Sequence, residues 1–246
     1  MNLLLDIGNT RLKWATEDQG QIDESHACDY RQPGCLASLE RAWRGISVSR
    51  NLAIASVSEK QVLDSLIQLG QTLWPQCRLL IPQASAAAFG VTNAYQQPEK
   101  LGIDRWLAMI AAHNLYPGNV CVVDCGTAVT LDVVRADGRH LGGLICPGLN
   151  VMKQALVSNT ADLMFTQRSY DTELGSATDV AIANGVCAAV IGLIEHTLSK
   201  LDADYRLVLT GGDAAYLVDL LRVSVSYDRD LVLKGLSIFC RGDANL

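Results

Sequence analysis

One motif occurs twice in this chain, and it constrains the fold more than any other feature. Leu3-Leu4-Leu5-Asp6-Ile7-Gly8-Asn9-Thr10 near the start has a partner near the middle, Val120-Cys121-Val122-Val123-Asp124-Cys125-Gly126-Thr127. Each copy is a short apolar run, then Asp-x-Gly and a hydroxyl residue. A second strand-like segment follows each, Arg11 to Thr16 and Ala128 to Val134. That pattern reads as strand, tight turn, strand. Two copies set half a chain apart in 246 residues imply internal duplication, hence two similar domains. Pro117 to Asn119 supplies the expected boundary, giving domains of residues 1–117 and 118–246.

Between the hairpins, strand-like and helix-like stretches alternate. Leu52 to Val57 and Arg78 to Ile81 read as strands. Glu59 to Trp74 carries Val62, Leu63, Leu66, Ile67 and Leu69 at helical spacing and stops at Pro75. Arg105 to Tyr116 predicts a helix with Asp104 at its start. In the second half, Gly142 to Gly148 has the composition of a glycine-rich turn leading into a helix over Asn150 to Val157. Thr178 to Leu201 predicts a long apolar helix, fitted either to a core or to an interface between copies. Tyr205 to Leu209 predicts a strand ending in Thr210-Gly211-Gly212-Asp213, followed by a short helix and the apolar run Leu231 to Leu233. The alternation is that of an α/β protein with layered sheets.

Composition removes several classes. With 49% hydrophobic and 19% charged residues, the chain can bury a full core and is not disordered. A net charge of −6 argues against nucleic-acid binding. No membrane partner is expected, since the longest uninterrupted apolar run, Val186 to Ile194, is far shorter than a spanning helix. The eight cysteines are scattered, form no CxxC pair, and sit partly in apolar runs, so reduced thiols in a soluble cytoplasmic protein are expected.

Common phosphate-binding signatures are missing. The chain has no GxxxxGK[ST] and no Gly-x-Gly, which removes the P-loop and the dinucleotide fingerprint. The Asp-x-Gly hairpins offer another route. A glycine turn lets backbone N–H groups approach phosphate oxygens closely. An aspartate at the strand end supplies charge for the cation that accompanies a nucleotide. Gly211-Gly212 is a third glycine site, either against an adenosine or simply a strand-to-helix turn.

This constellation resembles the acetate and sugar kinase, heat-shock ATPase and actin superfamily, which implies two duplicated actin-like (ribonuclease H-like) domains with a nucleotide cleft between them. Within it, Tyr95 followed by Gly102-Ile103-Asp104-Arg105 resembles the signature of type III pantothenate kinases. So do Asp6 to Lys13, Asp124 to Asp132, Gly142 to Gly148, Thr178 before Ala181-Ile182, and Leu233 to Leu236, in the same order along essentially the whole chain.

The resemblance implies ATP-dependent phosphorylation of pantothenate, the first step of coenzyme A biosynthesis. It marks Asp104 as the catalytic base, with capping of the following helix as the alternative role. Substrate contacts are implied for Tyr95, Gly102, Ile103, Asp104, Arg105 and Thr178, with the Arg105 guanidinium suited to a carboxylate. ATP contacts are implied for Asp6, Ile7, Gly8, Asn9, Thr10, Arg11, Leu12, Lys13 and Thr127. Asp6 is placed beside Mg²⁺. Asp124 matches a monovalent-cation ligand for K⁺ or NH₄⁺, and by its chemistry alone it fits a second Mg²⁺ carboxylate equally well. A homodimer is expected. The competing readings are a kinase of the same superfamily with another small substrate, and a non-catalytic regulatory accessory protein.

Overall fold

The computed structural model describes residues 1–48, 50–157, 170–202 and 204–242. The chain divides into two compact units. The first comprises residues 1–89, 95–111 and 230–246, and the second residues 90–94 and 112–229.

In the first unit, β1 (Asn2–Ile7) and β2 (Arg11–Asp18) form the first Asp-x-Gly hairpin. β3 (Gln21–Ile22) and β4 (His26–Asp29) both pair with β2. Helix α1 (Cys35–Trp43) leads to β5 (Asn51–Ser56), then α2 (Lys60–Leu73) and β6 (Arg78–Leu80). The strand order is β3-β2-β1-β5-β6, with β1 parallel to β5 and β5 parallel to β6. The two-residue strand β7 (Ala87–Ala88) precedes helix α3 (Ile103–Leu115), and β8 (Val91–Thr92), between them in the chain, belongs to the second unit. One face of the sheet buries Leu5, Ile7 and Leu12 against Leu39, Trp43 and Leu66 of the helices. Helix α2 comes so close that a Cβ on Gly70 would lie 2.3 Å from Leu52.

The second unit repeats the plan. β9 (Val120–Cys125) and β10 (Ala128–Val134) form the second hairpin, followed by β11 (His140–Pro147), α4 (Leu149–Val157), α5 (Thr178–Ser199), β12 (Arg206–Thr210) and β13 (Val225–Tyr227). The order β11-β10-β9-β12-β13, antiparallel for its first two pairings and parallel for the last two, copies the five-strand path of the first sheet, which carries β4 in addition. The duplication seen in the motif is therefore a duplication of topology.

Three readings are revised or filled out. Gly142 to Pro147 is not a turn but part of edge strand β11; its glycines sit in a ladder, with a register shift opposite Val133 and Val134. The run Leu231 to Leu233 opens helix α6 (Leu231–Gly242), which packs on β1, β2 and β5 of the first unit. There Gly235 allows contact with α3, because a Cβ at that position would lie 2.4 Å from the Leu107 carbonyl. Third, α5 is 22 residues long and holds an 18-residue stretch of mean hydropathy 1.5, so by length and composition alone it passes as a membrane-crossing helix, as core helices also do. The run Val186 to Ile194 understates it, since Ala181, Ile182 and Ala183 extend the apolar stretch. One face of α5 lies in the core: Val186, Cys187, Val190 and Ile194 are buried against β9, β10 and β12.

Helix α5 also offers a stability test. A Cβ on Gly192 would meet nothing within 4 Å, and the residue is exposed mid-helix. Gly192→Ala is expected to stabilise the chain by roughly 0.5–1 kcal/mol. Thermal unfolding should show a midpoint raised by about 1–4 °C.

Candidate active site

Each hairpin is shaped by its own backbone. In the first, the Gly8 N–H donates to the Arg11 carbonyl at 3.0 Å. The Tyr30 hydroxyl, arriving from beyond β4, donates to the Gly8 carbonyl at 2.8 Å. Asn9 and Arg11 are exposed at the turn, whereas the Ile7 and Leu12 side chains are in the core, leaving only their backbone to face a ligand. Asp6 and Lys13 are register partners across β1 and β2, both half-buried. The Lys13 Nζ lies 3.8 Å from Asp230 Oδ1 at the start of α6.

The second hairpin is tighter. The Gly126 N–H donates to the Ala128 carbonyl at 3.0 Å, and the Gly148 N–H to the Thr127 carbonyl at 2.9 Å. Gly148 has no room for a side chain, since a Cβ there would lie 2.0 Å from the Gly126 carbonyl. Asp124 is flanked in register by Thr130 of β10 and Thr210 of β12. The glycine loop after β12 closes on it: a Cβ on Gly211 would lie 2.4 Å from Asp124 Oδ1. The Asp213 N–H donates to the Cys125 carbonyl at 2.9 Å. Asp124, Thr127, Gly211 and Asp213 thus gather at one end of the second sheet. Burial, with the carboxylates of Asp124 and Asp213 nearby, drives the Cys125 thiol far above its ordinary range, so it stays protonated.

The signature segment forms a compact group in the first unit. Helix α3 begins at Ile103, so Asp104 sits in its first turn, where the helix N-terminus favours a negative charge. Asp104 Oδ1 accepts the Arg105 N–H at 2.8 Å. A Cβ on Gly102 would lie 2.6 Å from that same oxygen, so the carboxylate needs glycine there. Arg105 is only 6% exposed. Its Nη1 donates to the Tyr95 hydroxyl at 2.8 Å, and its guanidinium carbon lies 5.6 Å from the centre of the Tyr95 ring. That bond uses one of the five donors a guanidinium carries, and others have partners as well.

Thr178 is exposed at the start of α5, in the second unit. It lines an open apolar groove of about 920 Å³ with Pro147, Val151, Met152, Ile182 and Ala189. All eight cysteines lie outside disulfides, with Cys28 and Cys35 3.0 Å apart at sulfur. Burial is the main cause pushing the Cys28 thiol up to about 12. Tyr30 and Asp230 escape a sequence reading because each is far along the chain from the group it holds. Among the described residues, no group of three or more His, Cys, Asp or Glu side chains is arranged to hold a metal ion by itself.

Comparison with known proteins places this geometry. The solved structure of a Campylobacter jejuni protein described as a Baf family transcriptional activator superposes with a TM-score of 0.64, at 24% identity, covering 99% of this chain and 100% of that one. The activator of 2-hydroxyisocaproyl-CoA dehydratase from Clostridium difficile, solved with bound ADPNP, gives 0.58 at 12% identity, covering 99% and 95%. These likenesses give the fold, the actin-like α/β architecture. In sequence, a type III pantothenate kinase of Nitrosococcus oceani is 39% identical, covering 96% of this chain and 92% of that protein. One from Laribacter hongkongensis is 37% identical, covering 98% and 99%. With the profile of that family matching residues 2–200 as well, the chain belongs to the type III pantothenate kinase family.

Proposed function

We propose that this chain transfers the γ-phosphoryl group of ATP to the terminal hydroxyl of pantothenate, with Asp104 as the base and Arg105 and Tyr95 holding the substrate. The observation that carries the reading is the group of Asp104, Arg105 and Tyr95, joined by hydrogen bonds at the head of α3 in a chain of this family. In the reaction the hydroxyl oxygen bonds to the γ-phosphorus while the bond to the β–γ bridging oxygen breaks and ADP leaves. The hydroxyl proton passes to the Asp104 carboxylate. Phosphoryl transfer is chiefly a matter of positioning and charge. Arg105 is suited to the first task, because a planar guanidinium matches the pantothenate carboxylate as a fork. Gly102 and Ile103 add backbone contacts, and Thr178 a hydroxyl.

The ATP phosphates are assigned to the turn of the first hairpin, residues 6–13, and to Thr127 of the second. Asp6 is a hard oxygen donor at a strand end, in keeping with Mg²⁺ held through its waters. The ion, when bound, neutralises charge on the phosphates. Asp124 lies beside the Thr127 turn and against Gly211, an oxygen-rich setting suited to K⁺ or NH₄⁺. A homodimer and a cytoplasmic location belong to the same reading. The apolar groove beside Thr178 supports the first, and the unbridged cysteines the second.

The test is ATP-dependent phosphorylation of pantothenate with Mg²⁺, run in K⁺, NH₄⁺ or Na⁺. Turnover that needs K⁺ or NH₄⁺ is expected. Equal turnover in Na⁺ would remove the role of Asp124 and leave the kinase intact. A folded protein with no turnover under any of the three would sink the reading as a whole.

A further inference from the structure

We infer that His140 is a positioning residue for the substrate site, its imidazole standing in for a backbone carbonyl so that the chain leading into Tyr95 is held in place. This rests on the reading of Tyr95 and Arg105 as substrate contacts. His140 and Asp132 are each 2% exposed and lie on neighbouring strands β11 and β10. Asp132 pairs in register with Gly143, and His140 with Val134 two residues further along β10. The register shift between Val133 and Val134 brings the imidazole onto the same face as the carboxylate. This is the face opposite Leu131 and Val133, which belong to the core under α4 and α5.

The two ring nitrogens have different partners. His140 Nε2 lies 3.0 Å from Asp132 Oδ1. Nδ1 lies 3.3 Å from the backbone nitrogen of Ala94. A backbone N–H can only donate, so Nδ1 must present its lone pair, and the ring proton belongs on Nε2, directed at Asp132. Asp132 thereby selects the tautomer, and the tautomer supplies the acceptor for Ala94.

The strand pattern explains why an acceptor is needed there. Thr92 and Arg139 form a parallel bridge, and the Thr92 N–H donates to the Gly138 carbonyl at 2.9 Å. The next rung of a parallel ladder would take the Ala94 N–H to the carbonyl of residue 140. The His140 side chain takes that rung instead. Ala94 is the last residue of its segment in the second unit, and Tyr95 the first in the next segment of the first. The tie therefore acts one peptide before the tyrosine that holds Arg105. A small displacement of a positioning group is enough to cost an order of magnitude or more.

Two substitutions separate this role from mere stability. His140→Gln places an amide nitrogen near Nε2, keeping a donor for Asp132 but removing the acceptor for Ala94. His140→Asn places an oxygen near Nδ1, keeping that acceptor but removing the donor. Steady-state kinetics on the full chain should show KM for pantothenate raised about tenfold by His140→Gln, with kcat and the KM for ATP nearly unchanged. His140→Asn should raise it under threefold, although both lower the thermal midpoint. Equal effects from the two variants, or none from His140→Gln, would overturn the proposal. Tyr95→Phe distinguishes its basis: a raised KM there beside an unaffected His140→Gln sinks the tie alone, whereas an unaffected Tyr95→Phe sinks the substrate reading and the tie with it. The parent protein gives an independent check, since ¹⁵N shifts of His140 must report the Nε2–H tautomer, and the Nδ1–H form would overturn the assignment.

Discussion

Replacing Asp104 by Asn is expected to lower kcat by about 10²- to 10⁴-fold, the usual worth of a positioned general base. The fold and ATP binding should survive. Asparagine keeps an oxygen that can accept the Arg105 N–H, now bonded at 2.8 Å, and it fits the space beside Gly102 that the carboxylate occupies. What it loses is the capacity to take a proton and the charge at the α3 N-terminus, the latter worth only about 0.3–1 kcal/mol. A purely capping role for Asp104 therefore predicts a slightly less stable enzyme with near-normal turnover, and a catalytic role predicts the reverse. Single-turnover measurements at saturating ATP and pantothenate, with unfolding midpoints alongside, separate the two. Turnover within a few-fold of the parent would remove Asp104 from the chemistry. Arg105→Met should behave differently, since loss of a carboxylate grip appears first in the KM for pantothenate.

How far such roles are legible in a sequence depends on how local they are. Asp104 and Arg105 are adjacent and share one turn of helix with Gly102, so a short segment carries both chemistry and geometry. The two hairpins are equally local, and their repetition exposes the doubled sheet. Residues that act across the chain leave no such trace. Tyr30 holds the Gly8 carbonyl from 22 residues away, and Asp230 meets Lys13 across the length of the unit. Two elements were misleading for a physical reason. Gly142 and Gly143 have turn composition, yet here they serve a bulged edge strand, where Gly142 adopts a φ of 113° and Gly143 lies opposite Asp132. Leu231-Val232-Leu233 shows only as an apolar run, because all three residues are covered and helical periodicity vanishes at the start of α6. Helix α1 was legible in principle: Cys35, Leu39 and Trp43 recur every four residues, and all three are buried.

The larger stability effect is expected from Gly211→Ala. Gly211 has a φ of +96°, a conformation that side chains avoid, and the new Cβ would lie 2.4 Å from both Asp124 Oδ1 and the Cys125 carbonyl. Backbone strain of this kind costs about 1–3 kcal/mol, and overpacking a filled site costs a similar amount. Together they predict a loss of about 3 kcal/mol, or roughly 6–12 °C in midpoint. The carbonyl is backbone and is fixed by its bond from the Asp213 N–H, whereas the carboxylate ends a side chain and is the group that shifts. Displacing it reaches the proposed cation site directly. At temperatures where Gly211→Ala remains folded, its turnover should need a higher K⁺ or NH₄⁺ concentration than the parent, a shift that a remote destabilising substitution would not produce. Gly192→Ala, with open space around the new methyl group, should move the midpoint the other way and leave the cation requirement untouched. An unchanged cation requirement in folded Gly211→Ala would mean that Asp124 and the glycine loop hold the sheet end together without serving the nucleotide, and the ion would have to be sought elsewhere.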